Sequence, residues 1–139
     1  MNVFLFGFIM FLGSLFGEPG TALKVEITNL KSSKGKLLIG IYKPGKKFTD
    51  GEPVASKIIE VNSKGNQVTT FDLEPGRYAL ALYHDINGNG EMDKNFVGIP
   101  KEPYGFSKDF RPKFSAPSFE DCAFDLPAAG KSISVKLTD

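Results

Sequence analysis

The stretch Phe71-Asp72-Leu73-Glu74-Pro75-Gly76-Arg77-Tyr78-Ala79-Leu80-Ala81-Leu82 decides the fold. Phe71 and Leu73 flank Asp72, while Tyr78, Leu80 and Leu82 alternate with Arg77, Ala79 and Ala81. A period of two marks a strand with one buried face, because successive side chains of an extended backbone point to opposite sides. Between the two runs, Pro75 sets φ for a turn and Gly76 accepts a positive φ. The stretch predicts two strands joined by a tight turn, and with them a β-protein.

The same period recurs on either side. Leu23, Val25 and Ile27 share one face of a first strand, which Asn29 and the polar stretch 31–35 turn back. Leu37, Ile39 and Ile41 face inward on a second strand, stopped by Pro44 and Gly45. Ile59 and Val61 lie on one side of a third, over residues 56–62, and the turn 63–66 leads to Phe71. Farther on, Cys122, Phe124 and Leu126 alternate with Asp121, Ala123 and Asp125 on a sixth strand, and Ile133, Val135 and Leu137 mark a seventh. No stretch of helical length carries a convincing helical period, and no internal repeat is present. The pattern predicts an all-β fold, an antiparallel seven-stranded β-sandwich of immunoglobulin-like or transthyretin-like type, with one long irregular loop over 94–118.

With 139 residues the chain is one domain's worth of material. Its start is apolar, with Phe4, Leu5, Phe8, Ile9, Met10, Phe11, Leu12, Leu15 and Phe16. That run is short of the ~20 residues a membrane span needs. It suits the core of a secretory signal peptide, with Gly17, Gly20, Thr21 and Ala22 as small residues for cleavage. Residues 1–22 are therefore expected to be a signal peptide cut somewhere in 17–22, and 23–139 a single β-sandwich domain. No Lys or Arg precedes the apolar run, which leaves an uncleaved anchor or a buried N-terminal strand open. The expectation is an exported protein, periplasmic or extracellular, with no transmembrane span in the mature chain.

Seventeen Lys and Arg against 16 Asp and Glu give a formal net charge of +1. Residues 1–22 contain one acid, Glu18, and no base, so their removal leaves +2. The charges are interspersed without a basic stripe, which argues against nucleic acid as a partner. The single cysteine, Cys122, excludes an internal disulfide, and its place in the alternation predicts a buried, inert thiol.

The predicted strand that carries Tyr78, Leu80 and Leu82, the fifth, runs into Tyr83-His84-Asp85-Ile86-Asn87-Gly88-Asn89-Gly90-Glu91-Met92-Asp93. Oxygen-bearing side chains fall on alternate positions before Gly90, the phasing that opens a D-x-[DN]-x-[DN]-G calcium loop. The twelfth position is Phe96, where an EF-hand would carry a bidentate Glu. The predicted metal ligands are the side chains of Asp85, Asn87, Asn89 and Asp93 with the Glu91 carbonyl, holding one Ca2+ with a Kd of ~10⁻⁴ to 10⁻³ M. The alternative is a polar turn tied by its own Asn and Asp side chains.

The segment 94–118 sets Phe96, Tyr104, Phe106, Phe110 and Phe114 beside Lys101, Lys108, Arg111 and Lys113. Such a segment either plugs one end of the sandwich with its rings or presents a surface to a glycan, peptide or lipid of the cell envelope or beyond. The candidate ligand contacts are His84, Tyr104, Phe106, Phe110 and Arg111. His84, the only histidine, lacks the second His or Cys of a zinc site and reads as a structural residue bonded to the long loop. Ser107 and Ser118 stand in no nucleophile elbow, and nothing selects Glu102, Glu120 and Asp121 as a glycosidase pair. No catalytic residue is assigned. The sequence thus favours a non-enzymatic binding or structural module. The alternatives are a small hydrolase or ligand carrier with a pocket under the long loop near His84, or a subunit that assembles through edge strands such as 23–27 or 131–137.

Two resemblances support this reading. The stretch Phe71 to Leu80 resembles the L-x-P-G-x-Y-x-L hairpin of transthyretin-like and carboxypeptidase-regulatory-like domains. Tyr83-His84-Asp85 with Asn87, Asn89, Gly90 and Asp93, then Gly98-Ile99-Pro100-Lys101-Glu102-Pro103-Tyr104-Gly105-Phe106-Ser107 and Pro117-Ser118-Phe119-Glu120-Asp121, is similar to a family of small secreted bacterial proteins known as a domain of unknown function. The resemblance spans about residues 23 to 138 and implies export and a sandwich, with no activity to inherit. In that family Asn often stands at the position of Lys108, and Ala at that of Cys122.

Overall fold

The alternating apolar residues build two sheets that meet across one core. The computed structural model describes residues 21–45, 48–88, 102–113 and 115–139. Eight strands lie among the described residues: β1 (Thr21–Leu30), β2 (Lys36–Tyr42), β3 (Ala55–Glu60), β4 (Gly65–Leu73), β5 (Gly76–Asp85), β6 (Tyr104–Phe106), β7 (Phe124–Leu126) and β8 (Lys131–Lys136). One sheet has the order β4-β1-β8 and the other β3-β2-β5-β6, with β7 also paired to β5. Leu23, Val25 and Ile27 of β1 pack with Leu37, Ile39 and Ile41 of β2 and Leu80 and Leu82 of β5, all buried, in a single core cluster. The all-β fold and the inward faces follow the sequence pattern.

The connections correct it in three ways. First, β4 and β5 belong to different sheets, so Glu74 and Pro75 form an arch across the core rather than the turn of a hairpin. Tyr78 fixes that arch, its hydroxyl donating to the Glu74 carbonyl at 2.6 Å. Second, β1 and β8 pair in parallel, with Leu23 beside Lys131 and Ile27 beside Val135. Alternation fixes which face of a strand is buried, whereas parallel and antiparallel neighbours leave the same period in the sequence. Third, the expected loop over 94–118 contains β6, a 3₁₀ turn at Ser107–Asp109 and, just beyond it, the short helix α1 (Phe119–Cys122). Cys122 therefore closes a helix rather than opening the sixth strand, though it is buried as expected.

Helix α1 exists because its first turn is closed at both ends. The Ser118 hydroxyl accepts the Asp121 N–H at 3.2 Å, and the Asp121 carboxylate accepts the Ser118 N–H at 3.0 Å. This is the reciprocal arrangement of a capping box, with Asp in the place of Glu. The helix lies over the outer face of β5, where Ala79 leaves room for Phe119 and Cys122, and Phe48, Phe106 and Phe110 pack around them. Phe48 stands edge-on to Tyr42 at 5.2 Å and to Phe119 at 6.1 Å. The loop aromatics that are described thus build a second, smaller core on the outside of the sheet. At the rim, Arg77 bonds Glu120 at 2.8 Å and its cross-strand neighbour Asp125 at 3.0 Å.

The two sheets are also stitched along the side where β6 approaches β8. Tyr104 accepts the Thr138 N–H at 2.9 Å and gives its own N–H to the Thr138 hydroxyl at 3.1 Å. Gly105 is required there, since a Cβ would stand 2.8 Å from Val135 Cγ1. Among the described residues no helix is long and apolar enough to cross a membrane.

Candidate metal and ligand site

Three segments converge where β5 ends: the β1–β2 turn, the residues leaving β5, and the residues entering β6. The register sets Lys36 beside Asp85 and Leu37 beside His84. Gly35, at φ +81°, brings the turn onto β5 so closely that a Cβ would lie 2.2 Å from the Asp85 carbonyl oxygen. From the other side, Pro103 accepts the His84 N–H at 2.8 Å. Glu102 reaches in as well, its Oε2 accepting the Ile86 N–H at 2.8 Å. The Gly88 N–H closes the turn on the Asp85 carbonyl at 3.3 Å.

His84 is wholly buried, with Nε2 2.6 Å from the Lys34 carbonyl oxygen. A carbonyl only accepts, so Nε2 carries the proton, and Nδ1 is left buried without a partner. The histidine therefore ties the β1–β2 turn to β5, whereas the sequence pointed to a bond with the long loop. That loop does bond residue 84, but through the backbone N–H.

Asp85 and Glu102 are 1% and 8% exposed. A buried negative charge requires hydrogen bonds or a counter-charge, and both carboxylates have partners within the protein. Asn87 is exposed on the turn, while Asn89, Glu91 and Asp93 lie outside the described residues. Among the described residues no three His, Cys, Asp or Glu side chains gather as a metal site. Glu102 was not foreseen as part of this corner. It is distant in sequence from Asp85, and no local spacing joins them.

The ligand contacts expected with His84 are placed apart from it. Tyr104 stands beside Tyr83 in the β5–β6 ladder, its ring 5.8 Å from that of Phe106. Phe106 and Phe110 belong to the outer aromatic cluster. Arg111 donates through Nη2 to the Lys136 carbonyl at 2.8 Å. Beside it, Phe110, Arg111, Pro112, Lys113, Pro117 and Asp121 line an open groove of about 330 Å³. Phe96, Lys101 and Phe114 lie outside the described residues. The serines are engaged in structure, Ser107 between β5 and α1 and Ser118 as the cap of α1. Of the acids, Glu120 bonds Arg77 and Asp121 caps the helix.

A family model described as "Uncharacterized protein conserved in bacteria (DUF2141)" matches residues 25–134. No curated protein and no solved structure matches the chain.

Proposed function

We propose that this chain, which belongs to the DUF2141 family of proteins conserved in bacteria, is an exported, non-enzymatic binding and structural module. In this reading one calcium ion is held by the 85–93 stretch, and the 94–118 segment offers the surface for a cell-envelope or extracellular ligand. The fold is read as a β-sandwich of immunoglobulin-like or transthyretin-like type. The Tyr78 hydroxyl, reaching back to the Glu74 carbonyl at a sheet-to-sheet arch, supports the immunoglobulin-like form, in which a tyrosine corner has this bond.

The observation that carries the calcium reading is the burial of Asp85 and Glu102 at the mouth of the loop, with Glu102 holding the Ile86 N–H in place. A bound cation would add to the partners these carboxylates have within the protein and fix the direction in which the chain leaves β5. It would thereby order the segment that leads to β6 and the outer aromatic cluster. The groove lined by Phe110, Pro112 and Pro117, with Arg111 and Lys113 set against Asp121, supports a ligand with an apolar face and polar groups beside it. The backbone bonds of His84 and Ser107 favour binding over hydrolysis.

Thermal unfolding in millimolar calcium tests the metal. The melting temperature should rise with calcium and much less with magnesium, which demands a stricter octahedron. Asp85→Ala should remove the increment. A melting curve that calcium leaves unchanged overturns the metal reading.

A further inference from the structure

The outer face of the β3-β2-β5-β6 sheet carries a row of apolar side chains that runs off the sheet's end. The registers set Tyr104 beside Tyr83, Tyr83 beside Leu38, and Leu38 beside Ile58. Among the described residues the row stops on β3, the last strand of the sheet, where Ile58 is 67% exposed.

The backbone at Ile58 is open as well. Val61 donates its N–H to the Gly35 carbonyl at 3.0 Å, which places that pair in the hydrogen-bonded class of an antiparallel ladder. The class recurs at every second residue, so Ile59 and Lys57 bond to β2. Ser56, Ile58 and Glu60 then direct N–H and C=O away from the sheet. The residue with the most exposed large apolar side chain thus also presents donors and acceptors that no other described residue pairs.

The edge that β8 gives the other sheet is covered at Lys136. On β8 the Asp109 carboxylate accepts the Lys136 N–H at 2.9 Å and Arg111 covers the Lys136 carbonyl, so side chains close both backbone groups. The 23–27 stretch lies on β1, which is central. Of the two segments expected from the sequence to assemble, 23–27 is thus central, while 131–137 holds an edge that is covered at Lys136. β3 lacks the usual defences of an edge. Its six pairs with β2 run without a bulge, and proline stands before the strand, at Pro53, rather than in it. Its lysine, Lys57, is drawn onto Thr69 and the Thr70 carbonyl of β4, over the Phe71 ring.

We propose that two copies of the chain associate through β3 in a two-fold antiparallel pairing that sets Ile58 opposite Ile58 and Ser56 opposite Glu60. This register keeps outward side chains on one face, since facing residues of an antiparallel pair share a side. It also aligns the three residues whose backbone groups point outward, giving about six hydrogen bonds between the copies. The apolar row continues through the axis from Leu38 of one copy to Leu38 of the other. The interface is isologous and closes on itself, so it yields a dimer rather than a fibre. It stands independently of the calcium reading.

Sedimentation equilibrium of the purified chain, from micromolar to millimolar, tests the proposal. The mass should rise from one copy to two. Ile58→Lys should weaken association at least about tenfold, by removing the apolar contact at the axis. Ser56→Lys, facing Glu60, should tighten it and Ser56→Glu should loosen it, each by several-fold. Both positions are exposed, so circular dichroism should not change, nor should melting at concentrations where the chain is a single copy. A single-copy mass at millimolar concentration overturns the proposal, and so does a dimer that Ile58→Lys leaves intact. Ser56 variants that shift association in the same direction overturn the register.

Discussion

The Ser107 Oγ lies 2.9 Å from the Leu80 amide nitrogen and accepts its N–H in the middle of a sheet. β5 pairs with β6 over Ala81 to Tyr83 and with β7 over Gly76 to Tyr78, so Leu80 falls between two short partners. The same hydroxyl lies 2.5 Å from the Cys122 carbonyl oxygen and donates to it. One side chain thus bridges the sheet, the 3₁₀ turn and α1. It lets a broken edge strand accommodate a helix on the outer face.

Ser107→Ala should therefore destabilise the protein more than an ordinary hydroxyl loss. It strands a buried N–H and removes the donor to a carbonyl, at a cost of about 1–3 kcal/mol. For a domain of this size that corresponds to a fall of roughly 4–10 °C in melting temperature. Calorimetry checks it, and a melting temperature within a degree of the parent would show that water replaces the hydroxyl.

Gly35 and Gly88 separate two reasons for a glycine. Both have positive φ, +81° and +71°, but a Cβ at Gly35 would meet the Asp85 carbonyl at 2.2 Å while one at Gly88 meets nothing within 4 Å. Gly88→Ala should cost about 1 kcal/mol, the price of the left-handed conformation alone. Gly35→Ala must also push the β1–β2 turn off β5, breaking the bond between His84 and Lys34. It should cost several times more, and urea titrations of the two variants give the comparison. Equal losses would mean that the turn moves freely.

The sequence made the inward faces legible because Leu23, Val25, Ile27, Leu37, Ile39, Ile41, Leu80 and Leu82 alternate without a break, and all are buried. It could not show that β1 meets β8 in parallel, since that pairing depends on where distant strands lie. β6 was hidden for another reason. It is three residues long, and its middle residue is glycine only because Val135 comes so close. α1 did leave a signal, Ser118 with Asp121 three residues on, but four residues are too few for a helical period. At the site, the burial of Asp85 could not be read, because it depends on Gly35 and Glu102 converging from separate parts of the chain.

Cys122 supplies a pH prediction. Burial pushes its thiol from 9.0 up to about 12, with the Asp121 carboxylate adding to the effect. Between those values the folded chain keeps its proton while the unfolded thiol loses it. This contribution to stability is fully present below about pH 9 and is lost as pH rises toward 12. Cys122→Ala should flatten that alkaline slope, seen in unfolding free energies measured from pH 8 upward. The native thiol should resist a thiolate-specific reagent at pH 8, reacting only on unfolding. Rapid labelling of the folded chain would contradict both expectations.

Lys108 stands at φ +65° and ψ +12°, in the left-handed region, and the following Asp109 is at φ +51°. For residues with a Cβ this conformation costs about 1 kcal/mol, whereas asparagine tolerates it and glycine is free of the penalty. The Asn that the resemblance implies at this position would have its physical reason here. Lys108→Asn should raise stability by about 0.5–1 kcal/mol, and Lys108→Gly by less, because glycine also gains freedom in the unfolded chain. Lys108→Ala separates backbone from charge: it keeps the Cβ, loses the ammonium and should leave the melting temperature almost unchanged. Asp109→Gly relieves the same kind of strain but removes the carboxylate that accepts the Lys136 N–H, so it should be a net loss and should open the β8 edge. The order Asn above Gly above Ala, measured by thermal unfolding, distinguishes backbone strain from electrostatics. If Ala proves as stabilising as Asn, the lysine charge rather than the left-handed turn is what this position resists.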